Sequence, residues 1–207
     1  MKVKVCGITN KDDAGRAAYY GASALGFIFH KKSPRYVSPS RAKKIISELP
    51  PFVIPVGVFV NLSEKAINDI CRFTKIRTIQ LHGDESATFC KRMRKNYKVI
   101  KAFRVDELFD VNIVKKFDVD AYLFDTYKEG VEGGTGETFN WSAIAGQKFD
   151  APVILSGGLK AENVQEAISV VNPYAIDVSS GLEKTPGIKD PRKVRAFFDL
   201  IDFSQRN

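Results

Sequence analysis

Two residues able to move protons stand at the ends of strand-like runs. Cys6 closes Lys2-Val3-Lys4-Val5-Cys6-Gly7, where polar and apolar residues alternate until a glycine stops the pattern. Asp125 closes Ala121-Tyr122-Leu123-Phe124-Asp125, a charge after an apolar and aromatic run. A thiol that can act as thiolate and a carboxylic acid that can donate a proton suit acid–base chemistry on a carbon centre. The bland alternatives are a half-buried structural thiol and a loop-capping carboxylate. Which pair of readings holds depends on whether the two strand ends meet.

The elements around them say that they do. Eight apolar, mostly β-branched runs read as strands over 3–5, 24–29, 53–59, 78–81, 99–102, 121–124, 153–155 and 175–178. Amphipathic, helix-like stretches follow over 12–20, from Ser38-Pro39-Ser40 onward, and over 63–73, 84–95, 107–117, 141–146, 161–170 and 190–201. Ser63 is the expected N-cap of the third, and the basic end of the fourth suits a helix C-terminus. Strand and helix alternating eight times predict a closed (β/α)8 barrel of the α/β class, with minimal loops, as a single domain over residues 1–207. A doubly wound open sheet is the rival, but Gly-x-Gly-x-x-Gly does not follow the first strand. In a barrel, every strand's carboxyl end opens on one rim, where chemistry sits.

The same rim gathers further candidates. Leu155-Ser156-Gly157-Gly158-Leu159 follows strand seven and Ser179-Ser180-Gly181 follows strand eight. Paired glycines let backbone amides approach a ligand, and these two loops together predict a phosphate site at Gly157, Gly158, Ser179, Ser180 and Gly181. Arg35, after strand two, would overhang the mouth, where its planar fork can grip a carboxylate. His82 ends strand four, either as a structural hydrogen-bonding residue or as a ligand contact; His30 has less support. The glycine-dense segment 132–139 could be a mobile lid or a plain loop.

Bulk properties exclude several classes. The 207 residues are 44% hydrophobic and 27% charged, as expected for a globular chain. No apolar run is long enough to span a membrane and no secretory leader precedes the first strand, so cytoplasmic location is expected. Cys6, Cys71 and Cys90 fit neither a disulfide framework nor a zinc site, and no metal or cofactor is expected. The net charge of +8 raises nucleic-acid binding. The basic residues, however, come as scattered pairs such as Lys43-Lys44 and Lys115-Lys116, without an RNA-binding aromatic motif. A basic rim better suits a small anionic substrate. Oligomeric state stays open between monomer and homodimer.

Taken in order, these motifs resemble the phosphoribosylanthranilate isomerase family of tryptophan biosynthesis. The likeness runs nearly end to end, through Lys4-Val5-Cys6-Gly7-Ile8-Thr9, Ser33-Pro34-Arg35-Tyr36, Gln80-Leu81-His82-Gly83, Phe124-Asp125-Thr126, Gly133-Gly134-Thr135-Gly136 and both phosphate loops. The resemblance implies a phosphate-binding (β/α)8 barrel that performs a cofactor-free Amadori rearrangement of N-(5′-phosphoribosyl)anthranilate. It implies Cys6 as general base, Asp125 as general acid and Arg35 near the anthranilate carboxylate. Asn140 stands where the family pattern leads one to expect aspartate, though asparagine caps a helix about as well. The alternatives are a related sugar-phosphate isomerase of histidine biosynthesis, which has aspartate in place of Cys6, and a non-catalytic sugar-phosphate-binding barrel.

Overall fold

The computed structural model describes residues 1–106, 108–126 and 140–204. Strands β1 (Lys2–Cys6), β2 (Ala24–Ile28), β3 (Ile54–Phe59), β4 (Thr78–Leu81), β5 (Lys98–Val105), β6 (Ala121–Thr126), β7 (Val153–Leu155) and β8 (Ala175–Val178) form a closed parallel barrel in sequence order. Parallel pairing of β1 with β8 closes the ring, with Lys4 facing Asp177 in register. The expected (β/α)8 barrel is therefore the observed fold. Residues 132–139, read as a mobile lid or a plain loop, lie outside the described residues.

Two apolar regions hold the barrel. Val56, Ile100, Ala102, Ala121, Leu123, Ile154 and Ala175 fill its interior toward the amino ends of the strands. A larger sheath, including Leu25, Phe27, Phe59, Ile67, Ile79, Phe124 and Phe197, lies between strands and helices. Side chains alternate along each strand, so one set points inward and the next outward. Nearer the carboxyl ends, the inward set changes character. Lys4, Gln80, Arg104, Asp125 and Asp177 replace aliphatic residues there, above an apolar plug.

The helices are α1 (Lys11–Tyr19), α2 (Pro39–Ile46), α3 (Glu64–Thr74), α4 (Ala87–Arg94), α5 (Val164–Val171) and α6 (Pro191–Ser204). Asn10, Ser38, Ser63 and Ser86 cap the first four, each side chain accepting a backbone N–H. Several segments differ from expectation. α4 starts at Ala87, not at 84, because the Glu85 carboxylate accepts N–H groups from Asn61 and Gly83 and takes Lys101, which ties 83–86 down as a turn. The stretch expected as a helix over 107–117 is a 3₁₀ helix, Val111–Lys116, whose β-branched Val111, Ile113 and Val114 disfavour a longer α-helix. The stretch expected over 141–146 is a 3₁₀ turn, Trp141–Ala143, capped by Asn140 as anticipated. An antiparallel hairpin, β9 (Glu183–Thr185) with β10 (Ile188–Lys189), follows β8 and was not expected.

Candidate active site

The inward residues at the barrel mouth enclose one cavity. Cys6, Arg35, His82, Asp125, Gly157, Gly158, Ser179 and Ser180 all line it, so eight of the nine expected site residues are brought together. Gly181 is the exception, because it packs under the loops. A Cβ on Gly181 would collide with the carbonyl of Leu159, so this glycine lets the loop after β8 lie directly on the loop after β7.

Cys6 sits at the end of β1 with little exposure. Room for it comes from Gly26, its register partner on β2: a Cβ there would stand 2.7 Å from Cys6 Sγ and 3.2 Å from Lys4 Nζ. Below the thiol, Lys4 Nζ lies 2.8 Å from Asp177 Oδ2, and both residues are buried. Burial pushes the Cys6 thiol up from its ordinary value, while Lys4 and Lys189 pull it down and Asp177 works against them. Two cations thus favour the thiolate, but burial outweighs them. For Lys4, burial lowers the value, yet Asp177 and Cys6 together more than offset this and hold the ammonium above its ordinary value.

Asp125 is fixed from two sides. Its Oδ1 accepts the Thr126 N–H at 2.9 Å, and its Oδ2 lies 3.2 Å from His82 Nε2, within ion-pair range but off hydrogen-bond alignment. Gln80 Nε2 lies 2.7 Å from His82 Nδ1. A donating Gln80 amide leaves the ring proton on Nε2, turned toward Asp125. His82 is therefore a neighbour of the candidate acid that also lines the cavity.

Arg35 is held more firmly than a loop arginine should be. Its Nε lies 2.9 and 3.1 Å from the two Glu183 carboxylate oxygens and its Nη2 lies 2.8 Å from Oε2. Lys189 Nζ joins the same carboxylate at 3.0 Å. Burial raises the Glu183 carboxyl, but Arg35 and Lys189 overcome it and hold the group below its ordinary value. Burial is also the leading influence on Lys189, and it drives the ammonium below its ordinary value despite Glu183. The β9–β10 hairpin thus supplies the partners of Arg35, and the fork expected to be open is occupied on two of its three nitrogens.

Sequence reasoning missed Lys4, Gly26, Gln80, Arg104, Asp177, Glu183 and Lys189. Five of these carried a signal. Lys4, Gln80 and Asp177 are polar residues in the middle of short strands, Gly26 is a glycine inside one, and Arg104 continues the alternation of β5. In a closed barrel, polar residues there face either the helices or the cavity, and the alternation with Val3, Ile79 and Ile176 assigns them to the cavity. Among the described residues, no group of three or more His, Cys, Asp or Glu could hold a metal ion. Likewise, no helix among them is long and apolar enough to cross a membrane.

A model of the N-(5′phosphoribosyl)anthranilate (PRA) isomerase family matches residues 3–200. The chain belongs to this family. N-(5′-phosphoribosyl)anthranilate isomerase of Geobacter metallireducens is 49% identical over 197 residues, 95% of this chain and 96% of that protein. Phosphoribosyl anthranilate isomerase from Thermotoga maritima has the same fold, with a TM-score of 0.90 at 40% identity over 98% of this chain and 99% of that one. A further solved structure, 38% identical with a TM-score of 0.85 over 98% and 99% of the two chains, is a phosphoribosyl anthranilate isomerase in complex with reduced 1-(o-carboxyphenylamino)-1-deoxyribulose 5-phosphate. Membership of the isomerase family makes the chain an isomerase of tryptophan biosynthesis. It agrees with the resemblance carried by the Cys6, Arg35 and His82 motifs, and it disfavours the histidine-pathway alternative.

Proposed function

We propose that this chain converts N-(5′-phosphoribosyl)anthranilate into 1-(2-carboxyphenylamino)-1-deoxyribulose 5-phosphate, with Asp125 as general acid and Cys6 as general base. The observation that carries these roles is the shared cavity: a thiol above a buried ammonium and a carboxyl beside His82 face one space, under the paired glycines after β7 and the serines after β8.

Asp125, protonated, gives its proton to the furanose oxygen as the ring opens to a Schiff base. Cys6, as thiolate, takes the proton from C2′. The resulting enolamine tautomerises to the ketone. Each acid or base step contributes typically about 10²–10⁴-fold. His82 and the Thr126 amide keep the acid aimed, and Lys4 supports the thiolate once substrate binding favours it. Gly157, Gly158, Ser179 and Ser180 hold the phosphate, with Gly181 keeping their loops in contact. No cofactor takes part in this scheme. The barrel acts as a single-domain cytoplasmic enzyme on a small anionic substrate, as a monomer or as a homodimer; the isomerase from Thermotoga maritima is described as dimeric.

The test follows the decay of anthranilate fluorescence on freshly generated phosphoribosylanthranilate, with the next enzyme coupled to confirm the product. Wild type should turn over rapidly and Asp125→Ala should not. A folded wild type without turnover would leave a neighbouring sugar-phosphate isomerase or a non-catalytic binder as the reading.

A further inference from the structure

Among the described residues, one cation at the cavity has no ion-pair or hydrogen-bond partner. Arg104 lies at the carboxyl end of β5, in line with Ile100 and Ala102 on the inward face, and lines the mouth. It pairs in register with Asp125 on β6. Its Nε is buried without a hydrogen-bond partner, and no ion pair or hydrogen bond among the described residues engages its guanidinium. Buried charged donors left without an acceptor are costly, and such a group in a cleft points to a ligand that supplies one. The neighbouring cations are engaged: Lys4 on Asp177, Lys189 on Glu183, and Arg35 on Glu183 through Nε and Nη2.

Position indicates which anion is missing. The Arg35 stem reaches the mouth beside Gly7, where a Cβ would lie 2.8 Å from its Cδ. In a ring of eight strands, β5 stands across from β1 and well away from the loops after β7 and β8. The substrate of the proposed reaction carries its phosphate on C5′ and its aromatic acid on C1′, at opposite ends of the ribose. Arg104 and His82 also line an adjoining groove of mixed character, where Phe103, Phe109 and Phe117 stand beside Lys101, Asp106 and Lys116. We propose that Arg104 grips the aromatic carboxylate of the substrate, sharing it with Arg35 Nη1, which Glu183 does not hold. This assignment rests on the proposed activity and adds to it the residue that recognises the acid.

The experiment compares two ligands on each protein by calorimetry: reduced 1-(o-carboxyphenylamino)-1-deoxyribulose 5-phosphate and its phenylamino counterpart without the carboxylate. A charge-assisted two-point contact predicts that wild type binds the carboxylate form tighter by about 10- to 100-fold. Arg104→Gln should lose most of that preference while binding the descarboxy ligand as wild type does. Arg104→Lys, which keeps charge but not the fork, should fall between them. Steady-state turnover should show a raised KM with kcat largely retained. Because the readout is a preference between ligands on one protein, a general loss of folding or affinity cancels. Arg104→Gln retaining the full preference, or weakening both ligands equally, would overturn the assignment while leaving the activity standing. A wild type that neither turns over phosphoribosylanthranilate nor prefers the carboxylate form would overturn both.

Discussion

A buried thiol asked to act as a base sets the residue-scale problem. Burial raises Cys6, and Lys4 is the largest influence acting against it. The basic limb of kcat/KM, which reports the free enzyme, should therefore lie on the alkaline side of an ordinary thiol near 9.0. Lys4→Gln should push that limb further up and slow iodoacetamide alkylation of Cys6; an unmoved limb would remove Lys4 from this role. The other two thiols give an internal control. Cys71 is pushed up to about 12 and Cys90 to about 11, chiefly by burial, so both should resist alkylation in the folded protein while substrate protects Cys6. Cys6→Ser and Asp125→Asn should each lower kcat by about 10²–10⁴-fold with a smaller effect on KM. The hydroxyl is too weak a base and the amide has no proton to give. Single-turnover rates would check both. Cys6 and Asp125 were legible because each ends an alternating or apolar run. Lys4 and Asp177 carried a weaker signal, because a charge inside a strand points into the cavity only once the alternation with Val3 and Ile176 is read on a closed barrel.

At the scale of elements, strand ends and loop contacts decide what the residues can do. β5 runs to Val105, three residues beyond the expected end at Ala102, and this extension carries Arg104 to the mouth. The alternation continues through Phe103-Arg104-Val105, so the signal was present. The hairpin after β8 had no such signal: its strands span three and two residues, and Glu183 gains its meaning only from Arg35, 148 positions away. Glycines join the elements that make the site. Gly157 is a poor place to test phosphate binding, because a Cβ there would strike Thr126 and come within 3.2 Å of Asp125 Oδ1, disturbing the acid as well. Gly181 is the cleaner position. Gly181→Ala should force the two loops apart and weaken inorganic phosphate binding by about 10-fold or more, the scale of losing a charge-assisted hydrogen bond. The rate at which Cys6 is alkylated should stay near that of wild type. Unchanged phosphate affinity by calorimetry would remove the loop contact from phosphate recognition.

For the whole molecule, the division of the barrel interior into an apolar plug and a charged mouth links stability to function. The plug needs only size and hydrophobicity, which is why the fold follows so directly from eight apolar runs. The mouth must instead balance buried charges, and its partners come from strands far apart in the chain. The Arg35–Glu183–Lys189 cluster is the sharpest case, since it ties the loop after β2 to the hairpin after β8 across the closure of the ring. Removing one member leaves the others buried and uncompensated, which for buried pairs costs about 3–5 kcal/mol. Glu183→Gln should therefore lower stability by about that amount in urea titrations at neutral pH. The sign of its pH dependence follows from the depressed carboxyl. A carboxylate whose folded value lies below its ordinary 4.5 adds stability that is complete above 4.5 and is lost as pH falls through the lower folded value. The difference in unfolding free energy between wild type and Glu183→Gln should be constant from neutral pH down to about 4.5, then shrink as wild-type Glu183 takes up its proton. A difference that stays constant throughout the acid range would show that the carboxylate charge at position 183 is not what binds the hairpin to the barrel.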